Sequence, residues 1–224
     1  MPTYFDEELK KLKGDVLAMA TLVEESISKA LEALKKRDPK IAQEIRVIDK
    51  KIDHMEIAIE ERCIELIARH QPVGSDLRFL IGVIKMNNDL ERMGDHAVNI
   101  ADCVNFLVQQ PRIKPVSNIW TMAKIVNEML KESVESFMNN DAVKAQKICE
   151  RDSIVDEMRN EIIRIMLTYM IEEPDKIGSA IQYFLVAKNL ERIADLSTNI
   201  CEDTIYISQA RIIKHHIEEE RKEK

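Results

Sequence analysis

Apolar residues return along this chain at steps of three and four, the spacing that keeps one face of an α-helix buried. In the first segment Leu9, Leu12, Val16, Met19, Val23, Ile27, Ala30 and Leu34 form such a stripe. In the second, Ile41, Ile45, Ile48, Ile52, Met55, Ile59 and Leu66 continue it, with one longer step before Leu66. Pro2, Pro39, Pro72, Pro111, Pro115 and Pro174 all fall between periodic segments, where a missing N–H costs least. Asp38-Pro39 places a capping side chain before a first-turn proline, and Ser117 and Asp141 precede further periodic runs. The pattern predicts six helices over 5–36, 39–70, 75–108, 117–138, 142–171 and 175–212. Several reach about 30 residues, or about 45 Å at the helical rise. Long helices joined by short turns pack as antiparallel bundles.

The second half repeats the first. At an offset of 103, Met19, Ala20, Val23 and Glu25 meet Met122, Ala123, Val126 and Glu128. In the same frame Asp38, Ala42, Gln43, Ile45, Asp49, Asp53, Met55 and Ile59 meet Asp141, Ala145, Gln146, Ile148, Asp152, Asp156, Met158 and Ile162. Beyond the turn at His70–Asp76 the offset becomes 100, and Leu90-Glu91-Arg92, Asp95 and Asn99-Ile100 meet Leu190-Glu191-Arg192, Asp195 and Asn199-Ile200. A length change at a turn costs little. The chain therefore divides into two homologous three-helix units, 1–110 and 115–212, followed by a charged tail at 213–224. The fold class is all-α.

Composition agrees. Of 224 residues, 33% are charged and 45% apolar, a globular balance. Five glycines, six prolines and 4% aromatics are too few for a sandwich, a barrel or a glycine-rich nucleotide loop. The net charge of −7 argues against a nucleic-acid binder that works through a general basic field. Cys63, Cys103, Cys149 and Cys201 form no CxxC pair and read as reduced, packed thiols. No secretory signal and no apolar run of eighteen residues is visible, so the expected compartment is the cytoplasm.

Matching apolar positions follow from shared packing, but matching acids do not. Glu91 and Asp95 stand one turn apart on one helix face, and Glu191 and Asp195 repeat them. On the preceding helix of each unit, Asp49 with Asp53 and Asp152 with Asp156 have the same spacing. Like charges four residues apart destabilise a helix unless a cation neutralises them. Clustered carboxylates are hard oxygen ligands for Mg²⁺, Mn²⁺, Ca²⁺ or iron. The alternative is a solvated acidic face with Arg92 and Arg192 as counter-charges. His96 offers an imidazole in the first unit only, because Leu196 replaces it in the second. The di-iron Glu-x-x-His pattern, HExxH, the phosphate loop and the GxSxG elbow are all absent, and no nucleophile is paired with a base. Gly94, with Ala194 as its counterpart, points to close helix packing.

The run Leu90-Glu91-Arg92-Met93-Gly94-Asp95-His96-Ala97-Val98-Asn99-Ile100-Ala101, with its echo Leu190-Glu191-Arg192-Ile193-Ala194-Asp195, resembles the paired E-x-x-x-D motifs of the PhoU family. The resemblance covers nearly the whole chain. It implies two three-helix bundles in a pseudo-twofold arrangement and a non-enzymatic, cytoplasmic regulator of phosphate homeostasis. The implied partners are the phosphate ABC transporter, notably its ATPase subunit, and the sensor histidine kinase of the phosphate regulon. The implied outcome is repression of that regulon and restraint of phosphate uptake. It also implies metal on the acidic motifs: multinuclear iron or zinc in some members, other metals such as magnesium or manganese, or none. By carry-over the ligands are Glu91, Asp95, Glu191 and Asp195, joined by Asp49, Asp53, Asp152 and Asp156. Exposed edges of the long helices also leave room for a homodimer. The rival reading from the residues is a helical-bundle metal-binding protein or metalloenzyme built on paired carboxylates.

Overall fold

The computed structural model describes residues 4–113 and 117–209, and every element in them is helical. Residues 210–212 of the last expected helix and the tail 213–224 lie outside the described residues. The elements are α1 (Tyr4–Lys36), α2 (Pro39–His70), α3 (Gly74–Leu107), α4 (Ser117–Asn139), α5 (Ala142–Cys149), α6 (Asp152–Glu172), a short 3₁₀ turn (Pro174–Lys176) and α7 (Ile177–Gln209). The apolar stripes of α1 and α2 are the buried faces, from Leu12 to Leu34 and from Ile45 to Leu66. Helices α1–α3 form one bundle, and α4, α5–α6 and α7 the other.

The two units turn their first corners alike. Arg37 and its counterpart Asn140 are both left-handed, with φ of 53° and 52°. The following amides reach five residues back, Asp38 to Ala33 at 3.1 Å and Asp141 to Ser136 at 2.8 Å, which closes off the helix ends. Asp38 then caps α2 through the Lys40 amide, and Asp141 caps α5 through the Lys144 amide, each at 2.9 Å. Asp141→Ala is expected to cost about 1 kcal/mol, read as a matching drop in the free energy of unfolding by denaturant.

One expected helix is broken. The predicted 142–171 segment stops at Cys149 and restarts at Asp152. Glu150 and Arg151 keep near-helical dihedrals, so the chain does not turn sharply. The hydrogen bonds slip instead: the Arg151 amide reaches Ile148 and the Ile154 amide reaches Arg151, both steps of three. The Arg151 guanidinium is held by Glu132 at 2.8 Å and Glu128 at 3.0 Å, both on α4. Asp152 thereby becomes the first residue of a helix, where a carboxylate is favoured. Its counterpart Asp49 lies in the unbroken interior of α2.

Equivalent helices meet across the units: α3 packs on α7 more extensively than any other pair, and α1 touches α4. This is what two copies of one unit related by an approximate twofold require. The α3–α7 pairing is antiparallel. Arg78 Nε donates to the Ile207 carbonyl at 3.4 Å, Lys85 meets Asp203 at 3.2 Å, and His96 lies 2.9 Å from Asn189. The start of the linker between the units is held to both of them, its Gln110 carbonyl accepting from Arg37 at 3.1 Å and its Pro111 carbonyl from Ser179 at 2.6 Å. The thiols are packed as expected: Cys63, Cys103 and Cys201 are buried, Cys149 is partly so, and none is cross-linked. Burial pushes the Cys63 thiol up to about 12.

Candidate metal centre

The first acidic set lies where α2 crosses α3. The two helices approach closely at Gly94. A methyl group placed there would stand 3.1 Å from Ile52 Cδ1 and 3.5 Å from an Asp49 carboxylate oxygen. Asp49 therefore reaches in between the two helices. Burial, then the charges of Asp53 and Asp95, push its carboxyl above the usual range. Burial, then Asp95, Asp53, Glu56 and Asp49, do the same to Glu91. Glu56, which the motif spacing does not single out, is also pushed up, by burial and then by Glu60 and Asp53. Sequence reasoning thus found Asp49, Asp53, Glu91 and Asp95, and the structure adds Glu56 to them.

No ion pair within 4 Å joins any of these five carboxylates to a cation among the described residues. Arg46 opposes the rise at Asp49 through its charge without bonding to it. Arg46 is paired with Asp102 at 2.5 Å, and Arg92 turns back one turn to Asp89 at 3.4 Å. His96 does not join the set either, since its Nδ1 faces Asn189 on α7.

The second set lies where α6 crosses α7, and it is neutralised from within. Arg159 Nη1 stands 2.5 Å from a Glu191 carboxylate oxygen and 3.2 Å from Asp156. Arg192 completes the arrangement at 2.8 Å from Asp195 and 3.5 Å from the other Glu191 oxygen. Glu191 is 7% exposed. Only Asp152 has no guanidinium bonded to it. Burial, then Asp195, Asp156 and Glu191, push its carboxyl up to about 6, with Arg159 opposing.

Two register positions create this difference. Where the second unit has Arg159, the first has Glu56 at the offset of 103. Where the first unit has Asp89 to draw Arg92 away, the second has Asn189. Asn189 donates to the Leu185 carbonyl at 2.8 Å and faces His96, which leaves Arg192 to Asp195. Both signals are present in the sequence, but they lie at positions where the repeat fails to match.

The first set has the oxygen donors that a hard divalent cation takes, five carboxylates with no ion pair to a cation among the described residues, one of them, Asp49, beside Gly94, but it is not arranged as a metal site. In the side-chain positions shown, no three His, Cys, Asp or Glu groups among the described residues converge on one metal position. The second set does not fit. Three of its four acids, Asp156, Glu191 and Asp195, are already paired with two guanidiniums, and a metal would have to displace them.

The comparisons agree with the repeat. A family model described as the PhoU domain matches residues 16–104 and again 119–204, one match in each unit. A phosphate-specific transport system accessory protein PhoU homolog from Aquifex aeolicus is 44% identical over 214 residues, covering 95% of this chain and 97% of that protein. The crystal structure of PhoU from Pseudomonas aeruginosa superposes with a TM-score of 0.87 at 34% identity, covering 92% of this chain and 100% of that one. The crystal structure of the phosphate transport system regulatory protein PhoU from Streptococcus pneumoniae gives 0.88 at 33% identity, covering 94% and 99%. With both units matched and nearly the full length aligned, this chain is a member of the PhoU family.

Proposed function

We propose that this protein is a regulatory accessory protein of phosphate-specific transport, acting by binding rather than by catalysis. The observation that carries the reading is the alignment of both units, over 95% of the chain, with a protein described as a phosphate-specific transport system accessory protein. Its partners are the ATPase subunit of the phosphate ABC transporter and the sensor histidine kinase of the phosphate regulon. Binding restrains uptake and represses the regulon when phosphate is sufficient. Such a protein shifts a partner between states only if it binds one state more tightly than the other. No helix among the described residues is long and apolar enough to cross a membrane. The long helices leave edges on which a homodimer forms. In the first unit Asp49, Asp53, Glu91 and Asp95, with Glu56, hold a divalent cation that joins α2 to α3.

The test is capture of the tagged protein from gently solubilised membranes of phosphate-replete and phosphate-starved cells. The expected result is recovery of the transporter ATPase and the kinase from replete cells. Deletion of the gene is expected to switch on the phosphate regulon in high phosphate. Recovery of neither partner, with tightly bound iron and redox turnover in the purified protein, would establish the metalloenzyme reading instead.

A further inference from the structure

We infer that Cys149 and Cys201 are a reversible redox pair, which hydrogen peroxide converts to an intrachain disulfide between α5 and α7. Cys149 is the last residue of α5, and Cys201 lies in α7, the helix on which α5 packs. The two side chains meet, and the Cys201 thiol donates to the Cys149 sulfur. Cys201 is fully buried, whereas Cys149 is partly exposed at the edge of the same core. One thiol is thus open to a small oxidant, and the other stands directly behind it. At the corresponding places in the repeat the first unit has Arg46 and Ala101, so the two thiols occur together in one unit and are absent together from the other.

The backbone beside Cys149 permits closure. A disulfide draws its sulfurs from contact to about 2 Å, so one of the two backbones must yield by a small amount. Helix α5 ends at Cys149, and the amides of Arg151 and Ile154 that follow bond three residues back. In the first unit α2 runs through the corresponding residues without a break. A helix end at a slipped turn takes up a small shift that a continuous helix resists. The other two thiols are placed differently. Cys63 on α2 and Cys103 on α3 are both buried, and burial pushes them up to about 12 and about 11. The thiolate is the nucleophile, so buried thiols of this kind are inert. Cys149 moves the other way: the hydrogen bond from Cys201 holds it below the usual thiol range, against its burial and the charges of Glu202 and Asp152.

The chemistry closes without a further reactant. The Cys149 thiolate attacks one peroxide oxygen; an S–O bond forms, the O–O bond breaks, and hydroxide leaves and takes up a proton as water. The Cys201 sulfur then attacks the sulfenic acid on Cys149. Cys201 gives up its proton as the S–S bond forms, the S–O bond breaks, and a second water leaves. The thiol pair is oxidised by two electrons, and one peroxide is reduced to two waters. A dithiol reverses the step by exchange, through a mixed disulfide at the partly exposed Cys149. The cross-link ties the end of α5 to α7 beside the break at Glu150–Arg151, so oxidation fixes a corner of the second unit that is otherwise held by packing alone.

The experiment treats the reduced, folded, full-length protein with a small molar excess of hydrogen peroxide. The remaining thiols are then blocked with N-ethylmaleimide in denaturant, and the intact mass and tryptic peptides are read by mass spectrometry. The parent is expected to carry label on two of its four cysteines and to yield a peptide pair joined through Cys149 and Cys201. Dithiothreitol added before the block is expected to restore label at all four. Cys149→Ser is expected to keep its three remaining thiols reduced. Cys201→Ser is expected to stop at the sulfenic acid of Cys149, which dimedone captures. Should Cys201→Ser fold poorly by circular dichroism, Cys201→Ala places no hydroxyl in the core and gives the same readout. A parent that keeps all four thiols under peroxide would overturn the inference. So would a cross-link through Cys63 or Cys103, or a Cys149–Cys201 bond that dithiothreitol leaves intact in the folded protein.

Discussion

Gly82→Leu is expected to lower the free energy of unfolding by about 3 kcal/mol, near the upper end for overpacking a well-packed core. For a chain of this size that is a fall in Tm of about 6–12 °C by calorimetry. Gly82 lies in α3 at the crossing with α7, where a methyl group would come within 2.3 Å of Ile207 Cδ1 and 3.2 Å of two ring carbons of Phe137. Ile207 Cδ1 is the end of a flexible side chain and gives way to alanine. Gly82→Ala is therefore close to neutral, because about 1 kcal/mol of helix propensity offsets the repacking. Leucine is too large for that movement: it needs the space that Ile207 fills, with Phe137 behind, which itself lies tilted against Phe79 at 5.6 Å between ring centres. The double variant Gly82→Leu with Ile207→Ala separates this from a general loss of stability. Shortening Ile207 opens the space that leucine needs, so the pair is expected to lose at least about 1 kcal/mol less than the sum of the single changes. Strict additivity would mean that the α3–α7 contact is not what excludes the larger residue.

That contact was the part of the fold least legible in the sequence. The stripes through Leu12, Val16 and Met19 and through Ile45, Ile48 and Ile52 are local, so their periodicity alone gives the helices and their buried faces. The repeat gave the two units, because Asp38 and Asp141 mark the same cap and corner in each. Which helices join the units is a question of long-range pairing, and Gly82 offered no more than a small residue in a helix. The break at Glu150–Arg151 was hidden because it leaves the dihedrals nearly helical and changes only which carbonyls the amides reach. At the acidic sets, the motif positions were found because they match between halves. The residues that decide their charge, Glu56 against Arg159 and Asp89 against Asn189, were passed over because they do not match. A repeat directs attention to what is shared, and here the difference in chemistry lies in what is not.

The carboxylates left without a cation also set the response to pH. Asp152 has an ordinary value of 3.8 and is pushed up to about 6 in the folded chain, burial being the largest cause. The folded state therefore holds this proton more firmly than the unfolded state. Between about pH 4 and pH 6 it binds the greater number of protons, so stability falls as pH rises through that window. A shift of that size corresponds to about 3 kcal/mol at one unit per 1.4 kcal/mol, and solvent screening of a half-exposed carboxyl reduces it to about 1–2 kcal/mol. Asp49, Glu56 and Glu91 are pushed in the same direction and add to the slope. The opposing groups, Glu8, Glu32 and Glu135, are held down by hydrogen bonds to Lys11, Lys36 and Lys144, so their stabilisation is lost only as pH falls below the usual carboxylate range. In chelator at constant ionic strength, Tm is thus expected to rise from pH 7.5 to a maximum near pH 5 and to fall below it. Asp152→Asn is expected to flatten the limb between pH 7.5 and 5 and to stabilise the protein at pH 7, since the amide carries no charge to repel Asp195 and Glu191. A Tm that instead climbs steadily toward pH 7.5, or a slope untouched by Asp152→Asn, would mean that these acids are neutralised by something other than protons. Divalent metal added at pH 7 is expected to raise Tm in competition with protons, and the gain belongs to the first set, where no guanidinium is bonded to the acids.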